Sequence, residues 1–193
     1  MGFTPFPYDA DPATISTVVD DIYARLADDA DLVTHHFDAG VPWNAALTDS
    51  YPYSSHIMGD WALRKGLTPA GHKVYVSVTP INLARDSLAL LRDTADDMPL
   101  ASPFDTHAAN GDFDHIDVRT AYLNYCKRVI QYFNPDYLAI GIEVTLLRKH
   151  TDSATWLKYK ALNDFVYTNL KTLYPDLPVF VSVSPIEMVS GYP

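Results

Sequence analysis

A polar or acidic residue stands after each of five short apolar runs in this sequence: Tyr8 and Asp9, His36 and Asp38, Asn82, Glu143, and Glu187. Carboxylates set just beyond apolar runs suit general acid and base chemistry. Glu143 has the sharpest setting. Strand alternation puts Leu138, Ile140 and Ile142 on one face and Ala139, Gly141 and Glu143 on the other. Two small residues beneath a carboxylate describe the inner wall of a narrow barrel with the acid at its mouth. Val74, Val76 and Val78 oppose Ser77 and Thr79, and Val179, Val181 and Val183 oppose Ser182 and Ser184, in the same way. The same logic points His36 and Asp38 inward together. It sends His35 to the opposite face, so the adjacent histidines do not share one zinc ion.

Other chemistries find less support. There is no G-x-S-x-G elbow, no P-loop and no G-x-G-x-x-G. Asn110, Asp112 and Asp114 alternate like the start of a calcium loop, but the glycine and glutamate that should complete it are absent. The segment from Pro99 to Ile116 therefore reads as a solvated loop, and neither a metal nor a cofactor is expected. A metal-dependent hydrolase using His36, Asp38 and Glu143 is the alternative that would need one.

The elements that must position these residues are legible. Residues 2–6, 32–37, 74–79, 137–142 and 179–184 read as short buried strands. Helical stretches between them indicate βα units and a parallel sheet. Asp11-Pro12 starts a helix carrying Ile15, Val18, Val19, Ile22 and Leu26. Asp117 is expected to cap the next clear helix, and Asp152 or Ser153 the last, with Pro135 and Pro175 following their ends. Residues 52–65 and 83–95 are further helix expectations. Val74 to Asn82 matches Val179 to Glu187 position by position in residue type, as two equivalent strands of one architecture would.

Composition sets the class. The 193 residues are 48% hydrophobic and 20% charged, which fits one globular domain, here 1–193. No run approaches the roughly 18 apolar residues that span a bilayer. The formal charge of -10 repels phosphate backbones, so no nucleic-acid partner is expected. Cys126 is the single cysteine and reads as a buried thiol. Met1-Gly2-Phe3 runs straight into a strand. Such a start fits a cytoplasmic protein, or a secreted or periplasmic one whose leader has been removed.

The run Asp136-Tyr137-Leu138-Ala139-Ile140-Gly141-Ile142-Glu143-Val144 resembles the fourth strand of TIM-barrel glycoside hydrolases of the retaining clan A. Within the clan it is most similar to proteins related to the family 53 endo-galactanases. Gly2 to Tyr8, His35-His36-Phe37-Asp38 with Val41-Pro42-Trp43, and Tyr75 to Asn82 resemble other strand ends of such proteins. The resemblance implies that Glu143 is the acid/base catalyst. Ile142 stands where the family has an asparagine that contacts the substrate 2-hydroxyl. The clan's nucleophile follows a seventh strand, and this sequence reaches only a fifth.

The expected architecture is thus α/β, a partial (β/α)8 barrel of about five parallel strands. The expected function is hydrolysis of a β-linked polysaccharide or oligosaccharide. Glu143 would protonate the leaving oxygen, Trp43 and Tyr8 would be sugar platforms, and His36, Asp38, Asn82 and Glu187 would contact hydroxyls. The rival is an inactive, carbohydrate-binding or structural remnant without the nucleophile. Two open sheet edges, with an apolar fifth strand short of covering helices, lead to an expected homodimer.

Overall fold

The computed structural model describes residues 1–9 and 11–185. Among them are five strands: β1 Gly2–Phe3, β2 Leu32–Phe37, β3 Lys73–Val78, β4 Tyr137–Ala139 and β5 Val179–Phe180. Seven helices connect or follow them: α1 Ile15–Asp29, α2 Trp43–Leu47, α3 Ser55–Leu67, α4 Phe104–Ala109, α5 Ile116–Phe133, α6 Val144–His150 and α7 Ser153–Leu173. The strands form one parallel, open sheet in the order β1-β2-β3-β4-β5. No described helix is long and apolar enough to cross a membrane.

Register fixes the two faces. His35, Val76, Leu138 and Val179 lie in one row, and His36, Ser77, Ala139 and Phe180 in the next. The first row meets the helices: Val76, Leu138 and Val179 join one core with residues of α3, α5 and α7. That core is aromatic. Trp61 contacts Phe37, Tyr53, Tyr125, Tyr132 and Phe133, and Trp43 stacks on Phe104 at 5.1 Å. Large rigid rings bury much area for little lost rotamer freedom, which suits the seam between a sheet and its helices. Cys126 is fully buried there, and burial pushes its thiol well above the ordinary range, as an inert cysteine requires.

The helix starts follow local hydrogen bonding. Asp152 accepts from the Thr155 N–H and caps α7 at 2.7 Å. On α5 the cap is His115, whose Nδ1 accepts from the Asp117 N–H at 3.2 Å, so Asp117 sits in the first turn instead of capping it. Asn134, left-handed at φ 47°, ends α5 ahead of Pro135.

Four expectations need correction. Residues 83–95 form no helix. The Asn82 side chain accepts from the Asp86 and Ser87 N–H groups and closes a local turn, and Arg85 takes φ 57°. Such side-chain bonds compete with a helix. The segment 99–116 is not wholly irregular, since α4 lies within it with Phe104 and His107 buried. Gly141 does not line an inner wall: a Cβ there would lie 2.5 Å from Tyr159 Oη and 2.8 Å from Val144 Cγ1, on the side of the helices. The valine face of the fifth run is only partly bare: Val179 is buried and Val181 packs on the main core, while Val183 is 42% exposed.

Candidate functional site

At the carboxyl end of the sheet, side chains from three strand ends and one loop converge. Asp38 follows β2 and is 14% exposed. Arg85, 4% exposed, grips it with two bonds, Nη1 to Oδ1 at 2.9 Å and Nη2 to Oδ2 at 2.6 Å. The same Nη2 donates to Glu143 Oε2 at 3.2 Å. His36 receives or gives a hydrogen bond with Ser77 Oγ at 2.8 Å, and its Nε2 stands 3.8 Å from Asp38 Oδ2.

Each member is placed by its local chain. His36 and Ser77 face each other because the β2–β3 register pairs them on the face away from the helices. Arg85 is aimed by the Asn82 turn, whose carbonyl accepts from Nη1 at 2.8 Å. Glu143 stands at φ 50°, in the left-handed region where a non-glycine residue is strained. Its backbone N–H donates to Ser182 Oγ at 3.1 Å, and the next N–H, of Val144, donates to the Ser182 carbonyl. The β4–β5 pairing thus runs on past the strands and holds the glutamate in that conformation. α6 begins at Val144, immediately after it.

Burial and pairing compete in setting the charges. Burial would raise the Asp38 carboxyl, but the neighbouring His36, the bonds to Arg85 and the guanidinium charge outweigh this and hold it below the usual range. Burial would lower the Arg85 guanidinium, and Asp38 and Glu143 reverse that. The guanidinium fills the space between the two carboxylates, where the metal-dependent alternative would need its ion. Glu143 is 45% exposed and open to a ligand.

A polar cleft of about 150 Å³ adjoins the cluster and reaches from His36 and Asp38 to His56 and Asp96. Its floor is a second buried arginine, Arg92, which bonds Asp60 at 2.8 Å and Asp96 at 2.7 Å. A larger, mostly apolar cavity of about 240 Å³ lies between α2, α3 and residues 91–101 and shares none of the cluster.

No family model, no curated protein and no solved structure matches this chain. The site is therefore read from its geometry.

His36, Asp38 and Glu143 are brought together. Asn82 stands one step behind, as the residue that aims Arg85. Trp43 is not a sugar platform: it is fully buried, its indole N–H donates to the Ala89 carbonyl at 2.7 Å, and its ring is stacked in the core. Tyr8 is exposed, with its hydroxyl 3.4 Å from Asp21 of α1. An aromatic ring that does meet the cluster is Phe6, 6.0 Å from the His36 ring and exposed. Glu187 lies outside the described residues. Arg85 escapes sequence reasoning, because its apolar neighbours Leu83, Leu88 and Leu91 imitate a helix.

Proposed function

We propose that the chain supplies the first five βα units of a (β/α) barrel and carries the acid/base half of a glycoside hydrolase site acting on β-linked polysaccharide or oligosaccharide. Strand order that never reverses, with helices on one face, supports the barrel reading, since doubly wound sheets reverse theirs. Further strands, or a second copy of the chain, would add at the open edges of β1 and β5.

The observation that carries the site is Glu143. It is a half-exposed carboxylate in a strained backbone position at a strand end, beside a buried arginine locked to Asp38. Strain at a strand end is common where a catalytic group must be held in place. In this reading Glu143 donates its proton to the glycosidic oxygen and later takes one from water. Phe6, exposed and in contact with the His36 ring, is the candidate sugar platform. His36 and the polar cleft beside it would meet hydroxyl groups.

Retaining hydrolysis needs a second carboxylate about 5–5.5 Å away. Asp38, which shares one guanidinium nitrogen with Glu143, is the neighbouring carboxylate. Yet both Asp38 oxygens are committed to Arg85, which leaves Asp38 an anchor and not a nucleophile. That observation favours, as the second reading, a protein that binds β-glycan without cleaving it.

Reducing-sugar release from β-galactan and other β-glycans decides between them. Under the first reading, Glu143→Gln lowers release by at least about 100-fold, as expected for loss of a general acid, while glycan binding stays within a few-fold. Release that is unchanged in Glu143→Gln removes Glu143 from the chemistry. Binding without release by the unaltered chain selects the second reading, and neither binding nor release discards both.

A further inference from the structure

A second cluster lies at the same end of the molecule, around the start of α5. His107 on α4, His115 at the α5 cap and Asp117 in its first turn bring one ligand atom each to within 4.8 Å of one another. His107 Nε2 is 3.5 Å from Asp117 Oδ2, and His115 Nδ1 is 3.6 Å from the same oxygen. The imidazole rings stack at 3.9 Å.

These separations are poor for hydrogen bonds, which for N–H···O fall at roughly 2.7–3.2 Å. They suit two ligands of one ion. Bonds of about 2.0–2.2 Å to nitrogen and oxygen in a tetrahedron set ligand atoms roughly 3.4 Å apart. We propose that His107, His115 and Asp117 form a binding site for one first-row divalent cation of the zinc type, with the fourth position open to solvent.

The chemistry of the set is coherent. Two imidazoles and a carboxylate are the borderline donors that zinc takes, and three protein ligands leave one place for water. His107 is 9% exposed, Asp117 32% and His115 42%, so the site is rooted on one side and reachable on the other. His107 is held by an edge contact with Phe104, which stacks on Trp43, so its ring is fixed by the core. Calcium is not the fit, because calcium seeks six to eight oxygens.

One ligand is already in use. The Nδ1 lone pair of His115 accepts the Asp117 N–H, so an ion at that nitrogen replaces a bond in the first turn of α5. Loading the site therefore reorganises the start of the helix, and the helix start in turn limits affinity. This site uses no residue of the Glu143 cluster, and either proposal can fail without the other.

The test is calorimetric titration of chelator-treated protein with zinc chloride at neutral pH, repeated with cobalt, whose four-coordinate complexes absorb strongly in the visible. One-to-one binding and a tetrahedral cobalt spectrum are expected. Asp117→Asn, near-isosteric and half-exposed, and His107→Gln should each weaken zinc at least about 10-fold, the smaller effect being typical even of groups that only support ligands. Melting of each metal-free variant checks that it folds. No zinc binding by the unaltered chain, or an affinity unchanged in Asp117→Asn, overturns the proposal.

Discussion

Arg85→Met is expected to destabilise the protein by about 3–5 kcal/mol, the cost of removing one partner from a buried ion pair. For a chain of this size that lowers Tm by roughly 6–20 °C. The reason is Asp38, which keeps its charge and its burial but loses both guanidinium bonds. The bond to Glu143 adds little to this, because that side chain is half in water. Methionine retains most of the arginine stem, so the loss reports the charge and not a cavity. The double variant Arg85→Met, Asp38→Leu should recover most of the stability, since a well-packed apolar pair can replace a buried ionic one. Thermal melting of the three proteins measures this. A single variant within about 1 kcal/mol of the original would mean that Asp38 finds water or His36 instead, and that Arg85 does not anchor the site.

Acid should weaken the fold well before carboxylates titrate, and His35 is the cause. Its side chain is fully buried against Phe133, at 5.2 Å between rings. The Thr68 hydroxyl donates to the Arg64 carbonyl, so it must accept from His35, and Nε2 carries the hydrogen. Nδ1 is then an unpaired, buried acceptor. Protonating it would place a charge in the core, and burial, assisted by the Arg64 charge, pushes the ring pKa down to about 4. The unfolded chain takes its proton near pH 6.5, and the folded one does not until about 4. Stability is thus full above pH 6.5 and falls by about 1.4 kcal/mol per unit below it, about 3 kcal/mol in all. Asp38, held below the usual range, adds its own loss only at still lower pH. Urea unfolding at a series of pH values reads the slope. His35→Leu should flatten it between pH 6.5 and 4; an equal slope in that variant would assign the effect elsewhere.

The opposite fates of His35 and His36 and the positions of β2 and β3 were legible from alternation, and the polar residues that follow the apolar runs pointed to Asp38 and Glu143. Those features depend on period and on the polar residue ending each apolar run. What the sequence concealed depends on distant partners. Leu83, Leu88 and Leu91 suggest a helix, but Arg85 gains more from Asp38, and the Asn82 side chain closes the turn that lets it reach. Trp43 sits just after a strand end, as a sugar platform would, yet Phe104, sixty-one residues later, arrives to bury it. Alternation also fails past Ala139. There the backbone turns left-handed at Glu143, and Gly141 makes room for Tyr159 of α7.

Residues 79–103 hold no helix or long strand, and such a stretch is ordinarily the first to be cut by a protease. Between Lys73 and Arg119, however, trypsin has only Arg85 and Arg92 to recognise. Both side chains are about 95% buried, each clamped by carboxylates, and Arg85 has a left-handed backbone that a protease cleft does not accept. The residues that would mark this loop for digestion are the ones that fasten it down. Native protein should therefore survive limited trypsin across the whole span, while chymotrypsin, which reads the exposed Leu83, finds a foothold. Rapid tryptic cleavage after Arg92 in the intact protein would show that the clamps open in solution. In the Arg85→Met protein that same cleavage becomes the readout of the loop's release.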